Sequence, residues 1–418
     1  MEIKKFSIAI IGCGSRGAEA YGRIMADQKD RFEIAALCDV NEAKLKKYGG
    51  IFGVKADALF SREEEFFAAK RADALVIATM DNDHVRQCEK ALQLGYDVLL
   101  EKPVTGSEAE CARLLAAHEK YGGKVVVCHV LRYAPAYVKL KEILDGKSCG
   151  ELVMIDSVEQ VCYWHQAHSF VRGNWRREDE TSPMILAKSC HDMEIILWMV
   201  GSHCTKVSSF GSLGHFKAEN APEGAPEYCL DGCPASDTCP YNAERIYLQS
   251  KGVHVPVIRK VVSLENTDES VREALRRGPY GRCVYHCDND VVDHQVVNLE
   301  FENGVTASFT MCAFTWDGGR TIKLMGTHGQ IVGDVERDEI ELTHFATGTT
   351  TKIRLNADPE GHSGGDKGFM RDVVRQMKTD GAYTGRTQVA SSVESHLIAL
   401  AAEDSRVNGH TVMMDAFV

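Results

Sequence analysis

A glycine-rich turn close to the start of the chain limits the folds that this sequence can adopt. The apolar run "FSIAII" leads into Gly12, Gly14 and Gly17, spaced G-x-G-x-x-G, and a helical pattern follows. In dinucleotide-binding domains these glycines permit a tight turn, close approach of the backbone to a pyrophosphate, and close helix–strand packing. The turn, with Ser15 and Arg16, is therefore predicted to bind a dinucleotide. A glycine turn without a ligand is the alternative.

The second apolar run, "FEIAALCDV", ends in an acidic residue, Asp39. A carboxylate at the end of the second strand can accept hydrogen bonds from both ribose hydroxyls, and it would repel a 2′-phosphate. The sequence therefore predicts NAD rather than NADP as the cofactor.

Strand-like and helical segments then alternate as far as the strand "KVVVCHV", which predicts a parallel sheet with helices on both faces. Ligands bind at the carboxyl ends of such strands. Three segments follow strand ends, at 79–81, 101–103 and 129–133. The candidate cofactor residues among and beside them are Thr79, Asp81, His84, Glu101 and Lys102.

Further segments occur in a recognisable order: "EKP" at 101–103, "RYAP" at 132–135 and "CHDMEIILWMVG" at 190–201. With the glycine motif and Asp39, they resemble the Gfo/Idh/MocA family of NAD(P)-dependent oxidoreductases. The resemblance covers most of the chain and is weakest over 215–290. It implies a Rossmann domain followed by an α/β domain. The open, mostly antiparallel sheet of that second domain carries the substrate site and often a dimer interface.

The sequence pattern changes near residue 150, where strand-like runs follow one another without intervening helices. We predict an NAD-binding Rossmann domain over 1–132 and a substrate-binding and oligomerisation α/β domain over 133–418. A cysteine-rich insertion near 215–290 shows no obvious core of its own. Two helical patterns, at 365–378 and 388–407, are expected to pack back on the body of the protein.

The resemblance implies that Lys102 is a catalytic or substrate-positioning lysine and that His191 acts as an acid or base. An imidazole with an intrinsic pKa of about 6.5 can accept a hydroxyl proton. Many relatives have an aspartate four residues before this histidine, where this chain has Ala187, followed by Lys188. The division of roles among Lys102, Lys188 and His191 therefore stays open, and a helix-capping role is the alternative for His191.

The segment "YWHQAHSFVRGNWRRED" at 163–179 is rich in aromatic and basic residues, and it is expected to line the substrate site. Aromatic faces stack on sugar C–H groups, while arginine and asparagine bind hydroxyls or an anionic substituent. A solvated loop is the alternative. The family often brings a late loop to the pocket, here "GHSGGDKG" at 361–368. The candidate substrate residues are Arg132, Tyr133, Trp164, His165, His168, Arg172, Asn174, Trp175, Arg176 and His362.

The insertion concentrates cysteines: Cys229, Cys233 and Cys239 lie within eleven positions, and "GRCVYHCDND" adds Cys283 and Cys287. The spacing is not that of a standard zinc ribbon, but zinc takes four thiolates tetrahedrally. We predict a structural zinc site of Cys229, Cys233, Cys239 and Cys287. Cys283 is the next candidate for the fourth ligand. An iron–sulfur cluster and unligated thiols are the alternatives.

Other cysteines of the total of fifteen lie in strand or helix patterns, among them Cys38, Cys88, Cys111 and Cys128. They are expected to be small buried hydrophobic residues in a reducing compartment. The N-terminus runs straight into the first strand without a cleavage-type segment, so a cytoplasmic location is expected.

The net charge of −12 argues against nucleic acid or an anionic membrane as the main partner. We predict an enzyme that transfers hydride between NAD and a hydroxyl or keto carbon of a sugar, a cyclitol or a sugar derivative. It is expected to form a homodimer or homotetramer. One alternative is a redox-neutral, NAD-dependent glycosidase that works by transient oxidation and elimination. The other is a non-catalytic regulatory protein that binds NAD and a metal.

Overall fold

Six parallel strands form the first of two sheets in a computed structural model, which describes residues 5–252, 254–356, 360–378 and 385–416. The strands are β1 (Phe6–Ile11), β2 (Phe32–Cys38), β3 (Leu59–Phe60), β4 (Ala74–Ile77), β5 (Asp97–Leu100) and β6 (Val125–Val127). Their order is β3-β2-β1-β4-β5-β6. The strand order reverses between β1 and β4, and this switch point is where such sheets bind dinucleotides.

Helices cover both faces of this sheet, so its central strands are apolar throughout rather than alternating. Two separate apolar clusters lie on the two faces, and Cys38, Cys88, Cys111 and Cys128 are buried, which confirms their predicted role. A π-helical segment, Ser15–Gly22, leads into the first helix. The helices are α1 (Arg23–Asp27), α2 (Glu42–Phe52), α3 (Glu63–Phe66), α4 (His84–Gln93) and α5 (Glu108–Tyr121).

The second sheet has nine strands and confirms the predicted fold class. Its strands are β7 (Leu152–Cys162), β8 (Cys204–Ser212), β9 (His294–Phe301), β10 (Thr306–Thr315), β11 (Gly319–Gly326), β12 (Gly329–Asp334), β13 (Glu339–His344), β14 (Thr350–Arg354) and β15 (Val412–Met413). The order is β14-β13-β12-β11-β7-β10-β9-β8-β15, and only β7 and β10 pair in parallel. Buried and exposed residues alternate along β9, as expected for a sheet covered on one face.

Helices cover the buried face of the second sheet. The remaining helices are α6 (Pro135–Asp145), α7 (Tyr163–His165), α8 (Met184–Ala187), α9 (Cys190–Val200), α10 (Val255–Val262), α11 (Asp268–Arg277), α12 (Glu360–Ser363), α13 (Gly365–Lys378) and α14 (Val389–Asn408). In the described ranges, no helix combines the length and apolarity needed to cross a membrane.

The last helices pack back on the body of the protein, as the sequence predicts, and the structure shows that both contact the first sheet. Phe369 of α13 packs into the apolar cluster that contains the first turns after β1. Val389 and Val393 of α14 pack into the cluster on the opposite face. Gln388 also forms an isolated bridge with Val126 of β6. The dinucleotide-binding half is therefore completed by residues from the far end of the chain.

The insertion has an apolar core of its own, which corrects the expectation that it has none. Phe216, Tyr247 and Leu275 are buried together in this core, with Ala167 and Val171 from the segment after β7. Aromatic residues that are far apart in sequence meet there, and local periodicity does not reveal such contacts.

Two polar contacts join the insertion to the first domain. Lys260 pairs with Glu19 at 3.0 Å, and the Lys47 ammonium donates to the carbonyl oxygen of Leu264 at 3.2 Å. The insertion therefore contacts the π-helical segment that follows the glycine turn, through Glu19, and helix α2, through Lys47.

Candidate active site

The glycine turn lies between β1 and the π-helical segment that begins at Ser15. A Cβ on Gly12, whose φ is +90°, would lie 2.3 Å from the carbonyl oxygen of Ala78, and one on Gly17 would lie 2.0 Å from that of Gly12. A Cβ on Gly14 would meet no atom within 4 Å. Two glycines thus permit close packing, while Gly14 adjoins open space that fits a pyrophosphate.

Asp39 is held beside this turn at the end of β2. Its two carboxylate oxygens accept hydrogen bonds from the backbone N–H groups of Cys13, at 2.7 Å, and Asn41, at 2.8 Å. Each oxygen keeps a second lone pair. The carboxylate can therefore also accept hydrogen bonds from a ribose.

Arg16, in the segment after the glycine turn, and Glu101, after β5, form an ion pair. The Arg16 guanidinium donates to Glu101 at 2.8 Å and to Asp366 of α13 at 2.9 Å. The Tyr21 hydroxyl donates to Glu101 at 2.5 Å. Burial alone would raise the pKa of Glu101, but Arg16 and Lys102 outweigh it and hold that pKa below its usual value. Both carboxyl groups therefore balance the partly buried guanidinium of Arg16, and sequence analysis missed Asp366.

His84 joins two strand ends. Its Nδ1 lies 2.7 Å from the carbonyl oxygen of Pro103, and its Nε2 lies 3.3 Å from that of Thr79. The Thr79 hydroxyl donates to Gln87 at 2.7 Å. These contacts fix the turns after β4 and β5 relative to each other.

Lys102 and His191 lie on opposite sides of the domain junction. The Lys102 ammonium donates to the carbonyl oxygen of Ala187 at 2.8 Å. His191, at the start of α9, is 3% exposed, and neither of its ring nitrogens has a hydrogen-bond partner among the described residues. Burial, and next the charge of Lys102, lower the pKa of His191 well below its usual value. The imidazole is therefore neutral and able to accept a proton.

Two histidines extend this group. The ring centroid of His191 lies 5.7 Å from that of His129 and 5.8 Å from that of His362. His129 is fully buried, and both of its ring nitrogens lack partners within the described ranges. The sequence places His129 at a strand end but gives it no role. His362 contacts Asp366 through Nδ1 at 3.2 Å.

Lys188 belongs to a buried chain of charges behind His191. Its ammonium pairs with Glu159 at 3.1 Å, Glu159 pairs with Arg320 at 2.6 Å, and Arg320 pairs with Asp192 at 2.8 Å. Asp192 adjoins His191 in sequence, but its carboxylate faces Arg320. Sequence analysis missed Glu159, Asp192 and Arg320 because they come from three separate elements.

Part of the segment at 163–179 contacts the strand ends of the first domain. Trp175 Nε1 donates to Asp81 at 3.4 Å, and the Asn174 amide lies 3.7 Å from the Met80 sulfur. Asp81 also accepts a hydrogen bond from Ser182 at 2.9 Å. Trp175 and Asn174 thus bridge the cofactor and substrate sides.

His165 lies in the same segment and is close to charged groups. Burial, and next the charge of Lys188, lower its pKa well below the usual value. Lys102 and Arg320 act in the same direction. A neutral imidazole at this place can accept a hydrogen bond from a substrate hydroxyl.

Four other side chains of the segment contact the insertion. Trp164 stacks on His254 with centroids 3.8 Å apart, and His168 Nδ1 lies 2.9 Å from the Tyr247 hydroxyl. Arg176 pairs with Asp288 at 3.0 Å. Arg172 is buried among backbone carbonyls and thiols of the insertion. These contacts anchor the segment on the side away from Lys102.

The pair Arg132 and Tyr133 is engaged inside the protein. Arg132 forms an ion pair with the buried Glu194, and the Tyr133 hydroxyl donates to Asp372 at 2.9 Å. Both contacts join the end of the first domain to helices of the second.

All fifteen cysteines are free thiols. Cys229, Cys233, Cys239 and Cys283 line one small cavity in the insertion, whereas Cys287 places its sulfur 3.3 Å from the carbonyl oxygen of Cys283. Across the part of the chain that the structure describes, no three His, Cys, Asp or Glu side chains already stand in a metal-binding arrangement.

Two family profiles match almost the whole chain. The profile described as oxidoreductase family, NAD-binding Rossmann fold, matches residues 6–129. The profile described as oxidoreductase family, C-terminal alpha/beta domain, matches residues 141–414.

Individual proteins agree with this result. YteT of Bacillus subtilis, which carries the name of an oxidoreductase, is 25% identical over 88% of each chain. Inositol 2-dehydrogenase 2 of Saccharopolyspora erythraea is 26% identical over 47% of this chain and 54% of its own. An oxidoreductase from Agrobacterium radiobacter, solved with NAD+, L-tartaric acid and magnesium, superposes with a TM-score of 0.70 at 16% identity. That match covers 99% of this chain and 100% of the other.

Proposed function

Because the chain belongs to the Gfo/Idh/MocA family of oxidoreductases, we propose that it transfers hydride between NAD and a hydroxyl or keto carbon of a cyclitol, a sugar or a sugar derivative. The observation that carries this proposal is the neutral, unpartnered imidazole of His191 within the electrostatic reach of Lys102. The similarity of 47% of the chain to an inositol dehydrogenase supports a cyclitol or a related polyol as the substrate class.

We assign the proton transfer to His191. Bound NAD would supply the hydride acceptor for the carbon being oxidised. His191 accepts the hydroxyl proton through a ring nitrogen that has no partner among the described residues. Lys102, held by the Ala187 carbonyl, places a positive charge beside the substrate oxygen and stabilises its developing negative charge. Lys188 acts through Glu159 as a positioning residue.

The cofactor preference depends on Asp39. We expect NAD to bind at least about tenfold more tightly than NADP, since a like-charge contact costs more than the roughly 1.4 kcal/mol that equals a factor of ten. Asp39→Ser removes that repulsion and should narrow the gap, as measured by titrating both dinucleotides. Asp30→Ser, an exposed site at the opposite end of β2, is the control. A wild-type preference for NADP would refute the assignment.

The redox-neutral glycosidase is a second candidate. Transient oxidation to a ketone would make the neighbouring C–H acidic and permit elimination of the aglycone, and the oxidation uses the same arrangement of His191 and Lys102. A panel of cyclitols, sugars and aryl glycosides, assayed with NAD for both absorbance and products, distinguishes the two. We expect net NADH together with an oxidised product. Release of the aglycone without net NADH would identify a glycosidase. NAD binding without turnover of any compound would favour a regulatory protein.

We propose that a second copy of this chain covers the open face of the nine-stranded sheet. Phe210 and Val296 are exposed next to each other there on paired strands. Trp316, just after β10, is 78% exposed. Exposed apolar side chains on a sheet face are typical of an interface, and this supports the homodimer or homotetramer that the sequence predicts.

We also propose a structural zinc in the insertion, separate from the chemistry at His191. Its support is the group of free thiols around one cavity. Four thiolates leave no open coordination position for a substrate, so the role is structural.

A further inference from the structure

The cavity in the insertion identifies which thiols can share an ion. It has a volume of about 10 Å³, and the sulfur-bearing residues on its wall are Cys229, Cys233, Cys239 and Cys283. Cys287 is not among the residues that line the cavity, and its sulfur lies 3.3 Å from the carbonyl oxygen of Cys283. The spacing C-x3-C allows either cysteine of that pair, and the geometry distinguishes them.

A buried guanidinium lies on the same wall. Arg172 is 1% exposed, and its Nη2 donates to the sulfur of Cys229 at 3.6 Å and to the carbonyl oxygen of Tyr241 at 2.7 Å. Its Nε donates to the carbonyl oxygen of Arg282 at 2.6 Å, and its Nη1 has no partner in the described ranges. No carboxylate among the residues that the structure describes pairs with this cation. A buried charge without a counter-charge is strongly unfavourable, so Arg172 indicates negative charge in the cavity.

We propose that Cys229, Cys233, Cys239 and Cys283 bind one zinc ion as thiolates, with Arg172 as the counter-cation. This inference rests on the structural zinc proposed above and names its ligands. A zinc ion with four thiolates carries a net charge of about −2. A nearby guanidinium offsets part of that charge and donates to a ligand sulfur.

The size of the cavity favours a single ion. A volume of about 10 Å³ corresponds to roughly one water-sized sphere. A cluster with four irons would have to displace the walls, which include the aromatic rings of Tyr241 and Tyr285. The thiols do not yet converge on one point. Cys229, Cys233 and Cys239 are only half-buried, so rotation about their side-chain bonds can bring the sulfurs inward.

The ion would also position the substrate side. Arg172 belongs to the same segment as Asn174 and Trp175, which contact Met80 and Asp81 at the strand ends of the first domain. Fixing Arg172 against the thiolates therefore fixes the wall formed by Trp175. Loss of zinc should raise the substrate KM more than it weakens NAD binding.

The test compares neighbouring cysteines in the full chain. Wild type, Cys283→Ser and Cys287→Ser are purified without chelator, and zinc is measured by elemental analysis. We expect about one zinc per chain in wild type and in Cys287→Ser. In Cys283→Ser the zinc affinity should fall by more than the roughly 10–100-fold that is typical of changes outside the ligand set.

A second readout uses wild-type protein alone, so it does not depend on the folding of any variant. Cobalt replaces zinc, and the intensity of its thiolate absorption band reports four sulfur ligands. Zinc present in wild type but lost only from Cys287→Ser would overturn the ligand assignment while leaving the metal in place. Wild type without any metal would refute the proposed zinc itself. Iron in the wild-type protein, together with visible absorbance, would show that the thiolates bind an iron–sulfur cluster and would refute the single zinc ion.

Discussion

Lys102→Ala is expected to lower kcat by about 10²–10³-fold, while the Kd for NAD changes by less than about twofold. The ammonium stands at the end of β5 and is bound to the Ala187 carbonyl, on the substrate side of the glycine turn. Its removal takes away the charge that stabilises the substrate oxygen but leaves Gly14 and Asp39 unchanged. Steady-state kinetics and fluorescence titration of NAD measure the two effects separately.

Lys188→Ala is the matched comparison for Lys102→Ala. The Lys188 ammonium is held by Glu159 at 3.1 Å, so its loss should act through that carboxylate and cost far less in kcat. An equal loss in both variants would move Lys188 into the catalytic group. Near-wild-type turnover of Lys102→Ala would remove that residue from the proposed mechanism.

His191→Ala is expected to cost about 10²–10⁴-fold in kcat/KM, the usual contribution of a general base. Burial, and then Lys102, lower the pKa of the His191 imidazole, so protonation requires a pH well below its usual value. The wild-type kcat/KM should therefore stay level as the pH falls to 6.5 and decline only below it, since His191 becomes protonated only there.

A pH profile of kcat/KM tests this assignment. His203→Ala is the control, because the His203 side chain is 73% exposed and its ring pairs with Glu394. A decline of activity centred above pH 6.5 in wild type would contradict a neutral His191. A decline that persists unchanged in His191→Ala would assign the titrating group to another residue.

The dinucleotide-binding half could be predicted from local sequence. Its strands are mostly apolar, and the turn glycines and Asp39 lie within a few residues of strand ends, so a short window contains the relevant signal. The open sheet was harder to predict. The serine-rich β8, the exposed edge strand β14 and the two-residue β15 depend on pairing with distant partners.

The candidate active site could also be predicted from the sequence only in part. The segment at 163–179 could be recognised by composition, yet only the structure separates Trp175, which contacts Asp81, from Arg172, which contacts the thiols. The choice between Cys283 and Cys287 likewise depends on side-chain direction. Asp366 could not be assigned to Arg16 because 350 positions separate them.

The return of α14 to the first sheet has a consequence for synthesis of the chain. Val389 and Val393 complete an apolar cluster of the first domain, and the His396 ring accepts the backbone N–H of Val104 at 2.8 Å. Domains generally fold as units while the chain emerges from the ribosome. The apolar cluster of the first domain therefore stays incomplete until about 260 further residues have been synthesised. It must be shielded from solvent while the second sheet is translated.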